Sequence, residues 1–255
     1  MPFVDCAGHS LEYEWVGDAA SPGPSLVFLH EGLGSIRQWR DFPAQVARAT
    51  GRRALVYSRY GYGQSDVMQE AHAGVRFMHR GALEELPALL AALGVARPVL
   101  VGHSDGASIA LIYAGAGHPV SGLALMAPHV FVEPICVTSI ERANATFASG
   151  ELAAGLAKYH RDASRTFHLW ADAWLESDFL QWNIESYLPG IECPVLALQG
   201  VDDAYGTMEQ LARIARGVRG PCERLELADC GHSPFREQPQ RTLEAIARFV
   251  NERCS

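Results

Sequence analysis

The chain has 255 residues, 48% of them hydrophobic and 20% charged, with a formal net charge of −8. That length and composition suit a single α/β domain with a sizeable core and exclude a disordered or low-complexity chain. The acidic balance speaks against a nucleic-acid-binding face: Arg52 and Arg53, and the spaced Arg213, Arg216 and Arg219, stand among acidic residues as solvated helix faces do.

In chain order, the opening MPFVDCAGHSLEYEW lacks the basic and apolar regions of a signal peptide, so none is expected. Residues 11–15 (LEYEW) alternate as a half-buried strand would. After the SPGPS turn, 26–30 (LVFLH) is a continuous apolar run, and 54–57 (ALVY) is another. Runs at 99–101, 123–126 and 195–198, and the strand-like ERLELAD, complete the set. Such runs are expected of parallel strands covered on both faces. Helices are expected at 38–49, 78–93, 104–116, 207–215 and 240–251, with Gly94 ending the second and Pro87 kinking or breaking it. The alternation predicts an α/β fold with a mostly parallel sheet and crossover helices.

One stretch breaks this rhythm. Residues 129–188 carry helical patterns rich in aromatics and no strand. They are expected to form a helical cap inserted into a core of 1–128 and 189–255. Most of the aromatics must serve as the cap's own core.

No apolar run reaches the roughly 18 residues of a membrane span. The six cysteines form no CxxC pair, and the ten histidines show no metal-ligand spacing. Reduced thiols, no metal and no cofactor are expected, in a cytoplasmic protein without membrane or nucleic-acid partners. The sequence leaves a homo-oligomer open.

The strongest local signal is Gly102-His103-Ser104-Asp105-Gly106, between the run PVLV and the helical ASIALIYAG. A G-x-S-x-G at a strand-to-helix turn makes a nucleophile elbow: the serine sits strained on a tight turn, and the glycines let strand and helix approach. The helix N-terminus behind it favours developing negative charge.

With this motif, the segments LHEGLGSxxxW (29–39), SRYGYGQSD (58–66) and GHSPFREQP (231–239) resemble the α/β-hydrolase superfamily over nearly the whole chain. Ser58 stands where that family usually has Asp. The resemblance implies the order Ser, acid, His. It makes Ser104 the nucleophile, His232 the base, and Asp203 rather than Asp202 the orienting acid, with Asp202 left to cap the following turn or helix. It also places oxyanion donors at Asp105 and Gly32, with Leu33 as the alternative to Gly32. Glu31 replaces the commoner Gly, and its carboxylate either points to solvent or touches the substrate. His103 is expected to pack against the sheet, and His30 to bond nearby loop backbone. Glu31, Leu33, Trp39, His129, Trp170 and Trp174 are the candidate substrate-binding residues.

The expected activity is hydrolysis of a small or medium apolar carboxylic ester or lactone through an acyl-enzyme. C–C bond hydrolysis or amide hydrolysis on the same triad is the alternative, the former weakened by Ser233 where many C–C hydrolases carry Trp. A ligand-binding relative without catalysis is a third reading.

Overall fold

The computed structural model describes residues 1–71 and 73–254. Eight strands form one sheet in the order β1-β2-β4-β3-β5-β6-β7-β8. They are β1 (Phe3–Cys6), β2 (His9–Val16), β3 (Leu26–Leu29), β4 (Ala54–Tyr57), β5 (Val99–His103), β6 (Gly122–Met126), β7 (Val195–Gly200) and β8 (Cys222–Leu227). The pairs β1–β2 and β2–β4 are antiparallel, and all others are parallel. This is the expected mostly parallel sheet. β1 was not foreseen: it is a short, half-exposed strand on the sheet's edge and carries no apolar run.

Period-2 alternation divides the core between the two faces of the sheet. Leu26, Phe28, Val99, Val101, Ala124 and Met126 face one layer. It is built on α1 (Phe42–Thr50) and α10 (Pro239–Arg253), through Phe42, Val46, Ile246 and Phe249. Val27, Leu29, Leu100, Leu123 and Leu125 face the other. That layer contains α2 (Phe77–Arg80), α3 (Leu86–Ala92), α4 (Asp105–Gly115) and α8 (Glu209–Gly217).

A π-helical turn, Gly81–Glu85, joins α2 to α3, whose second residue is Pro87. The expected break is thus a local widening: proline has no N–H to donate, and its ring displaces the carbonyl one turn earlier. The expected helix at 38–49 is divided into a 3-10 turn, Ile36–Trp39, and α1.

Between β6 and β7 lie α5 (Pro134–Ala148), α6 (Glu151–Leu156) and α7 (Ala163–Leu175), then two 3-10 turns at Ser177–Gln181 and Glu185–Gly190. The segment leaves and returns at one place, where Ile184 N–H donates to Val130 C=O at 2.8 Å. Its aromatics largely pack on one another: Phe147 stacks on Phe167 with centroids 3.9 Å apart, and Phe179 on Trp182 at 5.4 Å.

All six cysteines are free. Burial pushes the thiols of Cys6, Cys193, Cys222 and Cys230 up to about 11 and that of Cys254 to about 12; Cys136 is raised as well. Among the described residues no helix is long and apolar enough to cross a membrane.

Candidate active site

The carboxyl ends of β3, β5, β6, β7 and β8 converge below the inserted helices. Ser104 lies between β5 and α4 with φ +52° and ψ −119°, a strained conformation for a residue with a side chain. Its flanking glycines permit this turn. A Cβ on Gly106 would lie 2.1 Å from Leu29 O, and one on Gly102 would lie 2.6 Å from Ala107 Cα.

Three side chains reach one another from three loops. Ser104 Oγ is 3.0 Å from His232 Nε2, and His232 Nδ1 is 2.8 and 2.9 Å from the two carboxylate oxygens of Asp203. A carboxylate can only accept, so Nδ1 carries the hydrogen and Nε2 presents its lone pair to the serine hydroxyl. Asp203 is buried; that raises its carboxyl, but the His232 hydrogen bond and charge, and the Tyr205 N–H at 2.8 Å, outweigh burial and hold it below its ordinary value. Asp202 is exposed, and its side chain makes no hydrogen bond among the described residues. The bond that closes this turn comes from Asp203, not Asp202 as expected.

The serine opens into a cavity of about 200 Å³ lined by Glu31, Gly32, Leu33, Asp105, His129, Trp170, Trp174, Tyr205 and His232 among others. The backbone N–H groups of Gly32, Leu33 and Asp105 donate to no protein acceptor among the described residues, which leaves them free to meet an oxyanion. Asp105 is the first residue of α4, and its N–H adds to the helix dipole. Its side chain is buried, which pushes the carboxyl up to about 6 against the pull of Arg59. Gly32 must be glycine because a Cβ there would lie 2.0 Å from Trp170 Nε1.

Five of the six candidate substrate contacts line this cavity; Trp39 does not. Trp39 is fully buried on the α1–α10 face, where its ring meets Phe28 at 5.4 Å and Phe235 at 4.7 Å. The 3-10 turn that ends at Trp39 directs it back against the sheet, away from the strand-end loops. The aromatics outside Trp170, Trp174 and Tyr205 do not line the cavity. His129 is buried and neutral: burial, then the neighbouring His232, lower it to about 3. Its Nδ1 and the indole nitrogens of Trp170 and Trp174 have no hydrogen-bond partner among the described residues.

Two supporting residues, Arg59 and Glu237, lie inside the motifs but had no role assigned from sequence. Arg59 donates its N–H to His30 Nε2 at 3.1 Å and its guanidinium to Glu31 O at 2.9 Å. His30 donates Nδ1–H to Glu31 O at 2.7 Å, so it is neutral, as its burial requires. Glu237 accepts from Gly231 N–H at 2.6 Å and Ser233 N–H at 2.9 Å, on either side of His232. His103 Nε2 is 2.7 Å from His232 O. Among the described residues no cluster of side chains could hold a metal ion.

A model of the alpha/beta hydrolase family matches residues 26–245. The chain belongs to this family. Relatives within the α/β hydrolases differ in what they act on. Over 113 residues the chain is 35% identical to the proline iminopeptidase of Levilactobacillus brevis, covering 44% of this chain and 36% of that protein. The chain therefore matches little more than a third of that relative's length. Among solved α/β hydrolases, the enol-lactonase from Burkholderia xenovorans LB400 superposes with TM-score 0.77 at 18% identity, covering 98% of this chain and 100% of that one. A thermophilic esterase from Thermogutta terrifontis gives 0.73 at 21% identity, with 99% of each chain covered. Identities this low carry the fold and leave the substrate to the site's own chemistry.

Proposed function

We propose that the protein is a serine hydrolase that cleaves small or medium apolar carboxylic esters or lactones through an acyl-enzyme. The observation that carries this reading is the unbroken line of hydrogen bonds from Asp203 through His232 to Ser104, which opens into a cavity lined in part by Trp170, Trp174 and Tyr205. His232 Nε2 takes the Ser104 proton as Oγ attacks the substrate carbonyl, and Asp203 stabilises the imidazolium. The N–H groups of Asp105 and Gly32 receive the oxyanion. His232 then protonates the leaving alcohol and activates the water that releases the acid. No step calls for a metal or an organic cofactor.

The cavity volume of about 200 Å³ lies below the several hundred Å³ of typical drug-sized sites and supports a short acyl group. Glu31, held ionised beside the oxyanion loop, disfavours anionic substrates. A second reading, amide hydrolysis on the same three residues, has support from the iminopeptidase relatives. The partner in either case is a small molecule.

The test is turnover of p-nitrophenyl acetate and butyrate, with labelling by a fluorophosphonate probe, set against prolyl p-nitroanilide. Ester turnover and labelling that both vanish in Ser104→Ala support the ester reading. Faster turnover of the anilide moves the assignment to the amidase reading. An unlabelled, inert wild type rejects both.

A further inference from the structure

The reaction just proposed gives His103 no task and Glu31 only the repulsion of anions, although both are built into its machinery. His103 is the last residue of β5, next to Ser104, and it is buried. Its Nε2 lies 2.7 Å from the carbonyl of His232, and on the other side of the ring Nδ1 lies 3.5 Å from Glu31 Oε2. A carbonyl only accepts, so Nε2 carries a hydrogen. Nδ1 makes no hydrogen bond among the described residues, and Glu31 Oε2 meets it at ion-pair distance. Burial pushes the Glu31 carboxyl up, but His103 and then Arg236, 3.7 Å away, outweigh burial and hold it well below the carboxylate range.

The connections have a pattern. Glu31 belongs to the oxyanion loop, His103 to the nucleophile strand, and Arg236 to α9 (Pro234–Glu237), which follows the base. One carboxylate thus bridges the three segments that must keep register for acyl transfer. The backbone around His232 is held on both sides as well: Glu237 takes the N–H groups of Gly231 and Ser233, and His103 takes the carbonyl of His232 itself. Trp39 and Phe235 pack on the His103 ring at 6.3 and 5.4 Å and shield that hydrogen bond from water.

We propose that Glu31 and His103 are positioning residues, with His103 fixing the His232 backbone through Nε2–H and Glu31 orienting His103 while tying the oxyanion loop to the base. This rests on the serine-hydrolase reading. A displacement of the base by about 1 Å is enough to cost on the order of 100-fold in rate, so such a support is worth building.

The decisive comparison is between two substitutions at one position. His103→Phe keeps an aromatic ring against Trp39 and Phe235 but removes the donor; His103→Gln gives up the ring and keeps an N–H near the place of Nε2. We expect His103→Phe to lower kcat for p-nitrophenyl acetate and the fluorophosphonate labelling rate roughly 10-fold or more, with KM within about 2-fold, and His103→Gln to retain most of both. A role in packing alone predicts the reverse order, and that order overturns the proposal. Glu31→Gln should lower kcat in the same direction, and Glu31→Gln/His103→Phe should be no slower than His103→Phe, because the pair acts as a unit. Effects that multiply would overturn the link between the two residues. ¹⁵N-histidine NMR of the unliganded protein supplies a readout that needs no turnover. A hydrogen on His103 Nε2, and His232 signals that move in Glu31→Gln, are expected; a bare Nε2 overturns the proposal even if every ester proves inert. An inert, unlabelled wild type with those NMR signals present would reject the serine-hydrolase reading and leave the structural pairing standing.

Discussion

The strand-end loops and the helices above them meet at one cavity and are built in opposite ways. Below, hydrogen bonds tie the loops together: His30, Arg59 and Glu31 O form one set, Asp203 and His232 a second, Glu237 and the base loop a third. Above, the indole nitrogens of Trp170 and Trp174 and His129 Nδ1, at the mouth of the insertion, are buried without hydrogen-bond partners among the described residues. Hydrogen bonds are directional and fix atoms to a few tenths of an ångström, which proton transfer needs. Aromatic packing fixes shape and leaves room for selection among substrates. The difference teaches that chemistry and specificity here reside in separate layers, so they should separate under mutation.

The largest effect tests the lower layer. Ser104→Ala should lower kcat by at least about 10⁴-fold for any substrate found, without loss of folding. Asp203→Asn should cost roughly 10³- to 10⁴-fold, because the amide no longer selects the Nδ1–H tautomer, while Asp202→Asn should stay within about 2-fold. Steady-state kinetics on one ester measures both, and a reversed order of the two aspartates would exchange their roles.

The upper layer should respond differently. Trp170→Ala opens space beside Gly32 and should move the preference from acetyl toward longer acyl groups, by about 10-fold in relative kcat/KM, while Ser104 keeps reacting with the fluorophosphonate. Trp182→Ala, buried in the insertion but away from the cavity, should cost about 3–5 kcal/mol by urea unfolding with no change in acyl preference. If Trp182→Ala altered preference as much as Trp170→Ala, the division between layers would fail.

The smallest effect is on the pH dependence of stability. His129 is lowered from 6.5 to about 3 in the folded chain, so between those values the unfolded chain binds more protons. Stability from this group is present above about 6.5 and is lost as the pH falls toward 3. His129→Asn should flatten the slope of Tm against pH in that window by up to one proton. An unchanged slope would show that His129 is charged in the folded state.

Much of the core was legible because parallel strands buried on both faces leave uninterrupted apolar runs, as at 26–29 and 54–57. β1 was not, since an edge strand with half its residues in solvent has no such signature. That Ser104, His232 and Asp203 meet was legible because the first two belong to local motifs and the family's turn is constant at the third. Trp39 was misread: it shares a motif with the oxyanion loop, but a motif records neighbours in sequence and not the face toward which a side chain turns. The bond from His103 to His232 O spans 129 positions and that from Arg59 to Glu31 O spans 28. No spacing rule encodes contacts of that range; only the folded chain displays them.

The buried thiols have a practical side. A thiol held at about 11 is ionised in on the order of one molecule in ten thousand at pH 7, and the thiolate is the form that alkylating reagents attack. Iodoacetamide should therefore find little to modify in the native protein, and mild oxidants little to couple. At the four buried cysteines, Cys6, Cys136, Cys230 and Cys254, a serine-directed probe would meet little competition from sulfur at neutral pH.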